Sequence, residues 1–160
     1  MPVRKKNVST FIEKATRAII ESSQESSVYV GCDSKRFRKS GRWYARYVTV
    51  IIVHRDSSKG CVLFHESNVL EDYSTIKNPK MRLINEVMFA VNAAHEIMPY
   101  VGNRKFELHI DVNPNPKYKS NPAVKEALGY VMGTLGIEAK IKPHAFAAMH
   151  AADHLVRLGG

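Results

Sequence analysis

The chain has 160 residues, enough for one hydrophobic core and too few for two comfortable domains, so residues 1–160 are read as a single domain. Hydrophobic residues make up 44% and charged residues 24%, with glycine and proline too scarce for a disordered chain or a fibre. Lys and Arg number 24 against 15 Asp and Glu, a net charge of +9, which makes a polyanion, most simply nucleic acid, the expected partner.

No run approaches the roughly 18–20 unbroken apolar residues of a membrane span. Met1–Lys6 leads into an amphipathic pattern rather than a signal peptide. A cytoplasmic protein with no membrane partner is therefore expected. Cys32 and Cys61 both fall in apolar, strand-like runs and are read as reduced structural thiols.

Residues 1–9 form a short basic lead-in. Thr10 and Glu13 have capping-box spacing, and Phe11, Ile12, Ala15, Ala18 and Ile19 recur on one helical face, which predicts a helix over about 10–22. The polar run Ser22–Ser27 ends it. Val28, Tyr29 and Val30 then favour an extended backbone, Gly31 leaves one position open to close approach, and Asp33 sits where this strand leaves the core. A carboxylate there must be solvated, paired or bound to a metal. Ser34, Lys35 and Arg36 follow at a spacing suited to hold a phosphate or to pair with an acidic cluster.

Lys39-Ser40-Gly41 reads as a turn, and the aromatic and β-branched run Trp43–His54 as a long strand. A polar turn, Arg55–Gly60, leads to a third strand, Cys61–Glu66, which completes an antiparallel meander. Ser67–Lys77 is read as a loop with Glu71 and Asp72 on its surface. Asn78-Pro79 starts a long helix to about Met98, with Ile84, Val87, Met88, Val91, Ala94, His95 and Met98 inward, Glu86 on the flank, and Pro99 as the stop.

Phe106–Val112 alternates as a strand and ends on a second acid, Asp111. The prolines of Asn113-Pro114-Asn115-Pro116 stop it. Lys117 and Lys119 lie in the same loop and either clamp a nucleic-acid strand or are simply solvated. Asn121-Pro122 opens a helix to about Gly133 carrying Val124, Leu128, Val131 and Met132. Gly136–Lys142 reads as a short strand closed by Pro143. A last helix from His144 or Ala145 carries Ala148, Ala151, Ala152 and Leu155, with Asp153, His150 and His154 on it.

If strands one and four are parallel neighbours, Asp33 and Asp111 emerge side by side, where the helix acids Glu86 and Asp153 can meet them. Four like charges repel unless divalent cations intervene, and an all-oxygen set suits two Mg²⁺ or Mn²⁺ ions. Two such ions can activate a water and stabilise the departing oxygen in phosphodiester hydrolysis. On this reading Asp33 bridges the ions, Asp111 and Glu86 orient the hydrolytic one, and Asp153 completes the second. Each acid also has an ordinary reading: Asp33 and Asp111 as turn caps, Asp153 as a partner of Arg157, and Glu86 as a helix-flank residue, with Glu66 its rival for the site. His150 and His154, four apart and bracketing Asp153, shuttle protons, bind phosphate or merely pack; without an intervening Glu, their spacing is a weak zinc signal.

The segments Gly31-Cys32-Asp33-Ser34-Lys35-Arg36, His109-Ile110-Asp111-Val112-Asn113, and Lys142 to Ala148 with Ala152-Asp153 resemble the RNase H-like superfamily, most closely the YkuK-type family of RNase H-like nucleases. The resemblance covers about residues 26–157. It implies an α/β fold with a five-stranded mixed sheet of order 3-2-1-4-5 flanked by helices, here with an extra N-terminal helix, and two-metal hydrolysis of nucleic acid. It matches the superfamily's four acids to Asp33, Glu86, Asp111 and Asp153. Trp43 is the only tryptophan, so no tryptophan-rich handle for an RNA/DNA hybrid is present. The competing reading is an inactive RNase H-like module that binds nucleic acid through its basic surface. RNA or DNA substrate, endo- or exonucleolytic action, and homo-oligomer formation stay open.

Overall fold

The computed structural model describes residues 9–75, 78–112 and 123–141. The elements in chain order are α1 (Thr10–Glu21), β1 (Ser27–Lys39), β2 (Arg42–His54), a 3-10 turn (Arg55–Ser57), β3 (Cys61–Glu71), α2 (Lys80–Val101), β4 (Lys105–His109) and α3 (Val124–Leu135). The three-stranded meander is present, with β1 antiparallel to β2 and β2 antiparallel to β3. β4 returns parallel to β1, as a strand reached through a crossover helix must.

The strands run further than their apolar content suggests. β1 continues past Asp33 to Lys39, and β3 continues past Glu66 to Glu71, because cross-strand pairing with β2 carries polar and charged residues along. The β1–β2 connection is two residues long, Ser40 and Gly41, both at positive φ (51° and 78°), the backbone that a tight hairpin demands.

Two expectations of fold are corrected. Among the described residues the sheet is four-stranded and mixed, in the order β3-β2-β1-β4, not five-stranded. Among the described residues 136–141 one parallel bridge forms, Lys140 opposite His109, held by Ile110 N–H donating to Lys140 O and Lys140 N–H donating to Leu108 O. β4 is itself five residues long and turns immediately afterwards, which leaves no ladder for a fifth strand to extend. The first helix is also not an addition to a finished fold, but one of three helices among the described residues that contribute to the core. Ala15 and Ile19 are wholly buried in the same cluster as Val28, Val30, Ile51, Ile97 and Leu108.

The inner stripe of α2 is rotated from the expected one. Leu83, Glu86, Val87, Ala90, Val91, Ala94 and Ile97 are buried, while His95 is exposed, so Glu86 faces the interior rather than a flank. Pro99 does not stop α2, which runs two residues further and ends at Gly102 (φ 58°). In α3 the buried stripe is Ala127, Val131 and Leu135, with Met132 exposed. Cys32 is buried and Cys61 exposed, and both are free. Among the described residues no helix is long and apolar enough to cross a membrane.

The C-terminal ends of α1 and α2 share one cation. Arg104, 8% exposed, donates from Nε to Ser22 Oγ (3.0 Å) and Ser23 O (3.1 Å). Its other nitrogens donate to Ser22 O (2.6 Å), Tyr100 O (3.3 Å) and Val101 O (3.1 Å). A guanidinium at two helix C-termini satisfies their orphan carbonyls and meets the negative ends of both dipoles.

Candidate functional site

The site is built at the end of the sheet where β1 outruns β4. The parallel ladder ends at Gly31 opposite His109; two residues further on come Asp33, still on β1, and Asp111, just beyond the end of β4. Asp111 lies at the centre of a three-residue turn, closed by Val112 N–H donating to Ile110 O (2.9 Å), and this turn takes the chain out of the sheet at the acid.

Alternation along β1 turns Val28, Val30, Cys32 and Ser34 toward the helices and Asp33 and Lys35 to the other face. The hydroxyl of Ser34 accordingly donates to Glu86 Oε1 on α2. Glu86 is buried (9% exposed), and its carboxyl is held well above the usual carboxylate range. Burial is the largest cause, and the negative charge of Asp33 adds to it. The Ser34 bond and the charge of Arg82 oppose the rise, while Asp111 adds a smaller upward push. The thiol of Cys32 is raised likewise by burial, then by Glu86 and Asp33, against a hydrogen bond with Thr49. Asp33 on β1 and Asp111 beyond β4 thus both lie within electrostatic reach of Glu86 on α2. Glu66, the rival of Glu86, is half-buried on β3 opposite Thr49.

The donor set of Asp33, Glu86 and Asp111 is all hard oxygen, the chemistry that Mg²⁺ and Mn²⁺ prefer, and a divalent cation would remove the repulsion that raises Glu86. Among the described residues no group of three His, Cys, Asp or Glu side chains is gathered closely enough to hold an ion unaided. Asp153, His150, His154, Lys117 and Lys119 lie outside the described residues.

The residues that follow Asp33 divide by face. Lys35 is exposed. Ser34 is engaged by Glu86, and Arg36 by Asp72: Arg36 Nε lies 2.5 Å from Asp72 Oδ2, its NH2 group donates to Ser74 O (3.0 Å), and the guanidinium sits 4.4 Å above the Trp43 ring. Asp72, expected on a loop surface, is buried and also accepts from Ser74 N–H (3.0 Å) and Ser74 Oγ (2.9 Å). Desolvation pushes its carboxyl upward, but the Ser74 bonds and Arg36 outweigh it and hold the group below its ordinary value. Sequence reasoning missed this pair, although the order Asp-x-Ser at residues 72–74 is the mark of a side chain that bonds its own backbone two residues on.

Beside the acids, His109 is buried on β4, with Nε2 2.9 Å from Glu107 Oε2 and its ring 5.4 Å from that of Tyr29. Desolvation raises the Glu107 carboxyl, but His109 and Lys105, whose Nζ is 3.4 Å from Glu107 Oε1, bring it below its ordinary value.

A family model described as Ribonuclease H-like matches residues 8–157, and the chain belongs to that family. No curated protein and no solved structure matches it.

Proposed function

Starting from membership of the ribonuclease H-like family, we propose that this chain is a divalent-metal-dependent nuclease of the YkuK type that hydrolyses phosphodiester bonds by a two-metal mechanism. Asp33, Glu86 and Asp111 would hold Mg²⁺ or Mn²⁺, with Asp153 as the fourth ligand. The observation that carries this reading is Glu86: a buried carboxyl pressed by two other acids, with one hydroxyl as its hydrogen-bond partner among the described residues. A fold that needs no cation there has every reason to fill that position with an apolar residue.

When bound, the ions would supply a water ionised near neutral pH and charge compensation at the departing oxygen. The protein's own part is positional. β1 carries Asp33, Asp111 follows two residues after β4 ends, and the Ser34 hydroxyl holds Glu86. Lys35, exposed beside Asp33, is suited to a substrate phosphate. His150 and His154 are the proposed proton carriers.

The test is cleavage of labelled RNA, DNA, hybrid and junction substrates with and without Mn²⁺, beside Asp33→Asn. Cleavage that requires Mn²⁺ and falls to background in the variant is the expected result. Metal-independent cleavage, equal cleavage by the variant, or binding without cleavage of any substrate would overturn it, the last in favour of the inactive binding module.

A further inference from the structure

Beyond Asp33 the β1–β2 ladder continues for six more residue pairs, to Lys39 opposite Arg42, and its two faces differ sharply in content. On the face that carries Asp33 the pairs are Lys35 with Arg46, Phe37 with Tyr44, and Lys39 with Arg42. The Phe37 and Tyr44 rings stack at 5.7 Å and 22°, and the Arg46 guanidinium lies 5.5 Å from the Phe37 ring. Glu71, on the adjoining end of β3, stands 3.9 Å from Arg42 in an exposed and loose pair. The other face is spent internally: Arg36 is tied to Asp72, Ser74 and Trp43, which fastens the hairpin to the end of β3. Arg38 is exposed on that side.

At a rise of about 3.3 Å per residue the first face extends about 20 Å from Asp33. Along it come two cations, then two stacked aromatic rings, then two cations.

We propose that this face is the track on which a single-stranded nucleic acid reaches the acidic site, with backbone phosphates on the Lys35/Arg46 and Lys39/Arg42 pairs and a base against the Phe37–Tyr44 platform between them. An unpaired base can lie on those rings, whereas a duplex keeps its bases stacked inside and would use the cations alone. The inference rests on the nuclease reading for what happens at Asp33, but binding along the track is measured without it.

The experiment is fluorescence anisotropy of the full chain with labelled oligo(dT), oligo(rU) and an oligo(dA)·oligo(dT) duplex in EDTA, where no metal-dependent hydrolysis occurs. Single strands are expected to bind more tightly than the duplex. Phe37→Ser with Tyr44→Ser is expected to weaken single-strand binding about tenfold and to leave duplex binding unchanged. Lys39→Gln with Arg42→Gln is expected to reduce the slope of log K against log salt by about 1.4 for the single strands. Arg38→Gln, on the opposite face, is expected to change neither. Tighter duplex binding, an Arg38→Gln effect equal to that of the Lys39/Arg42 variant, or no loss from the aromatic variant would overturn the proposal. If the aromatic variant does not fold by circular dichroism, the exposed Lys39/Arg42 variant and the Arg38→Gln comparison decide alone. Intact track behaviour without Mn²⁺-dependent cleavage fails the nuclease reading only, and cleavage without track behaviour fails this inference only.

Discussion

Glu86 and Asp72 are both buried carboxyl groups, and their surroundings drive them in opposite directions. Asp72 has a guanidinium, a hydroxyl and a backbone N–H around it and is held below its ordinary value. Glu86 has one serine hydroxyl as partner among the described residues, the charge of Arg82 in its favour, and two acids that oppose its ionisation. Asp72 is a solved problem of folding. Glu86 is an unsolved one, and a site that folding leaves in conflict is where a ligand has energy to release.

The contrast breaks most visibly at Asp72. Removing one partner of a buried, hydrogen-bonded pair strands the other, so Arg36→Met is expected to lower unfolding free energy by about 3 kcal/mol in urea titration, and the double variant Arg36→Met/Asp72→Leu to recover most of the loss. Equal stability of the single variant and the native chain would remove Asp72 from the comparison.

The pH dependence sharpens it next. Glu86 has a folded pKa above its unfolded value of about 4.3, so the native state binds the extra proton, and its contribution is full below that pH and lost as pH rises through the folded value. Asp72 has the reverse sign: its contribution is full above its unfolded pKa of about 3.9 and lost as pH falls through the lowered folded value. In metal-free buffer, Glu86→Gln is therefore expected to stabilise the chain at pH 8 and to flatten the alkaline side of its stability profile while leaving the acid side unchanged. An unaltered profile would show that Glu86 is not under the stress ascribed to it.

The smallest effect is the direct one. If the acids accept a cation, Mn²⁺ is expected to raise the melting temperature of the native chain by a few degrees, roughly 3 °C, and to raise that of Glu86→Gln by less. The same increment in both would locate the ion elsewhere.

Much of this arrangement was legible in the sequence because strand alternation is a local signal. Phe106–Val112 announced β4, although the strand ends at His109 and leaves Asp111 beyond it, and the apolar run at Val28–Val30 announced the strand that carries Asp33. What was not legible was decided by packing across elements. Glu86 read as a flank residue because helical periodicity leaves the angle of the buried stripe loose when alanines flank it; α2 settles with Ala90, Ala93 and Ala94 against its neighbours and carries Glu86 inward. The charged end of β1 read as a loop because its pairing with β2, not its own composition, makes it a strand. Asp72 read as surface because its partner lies 36 residues earlier in the chain. Gly136–Lys142 read as a fifth strand from its own composition, but a strand needs a neighbour that offers a ladder, and among the described residues β4 offers it one bridge.

The Arg104 clasp has a mechanical corollary. Because a single side chain is bonded to the C-terminal ends of both α1 and α2, one substitution at Arg104 would strip partners from both helix ends at once, α2 being the helix that carries Glu86.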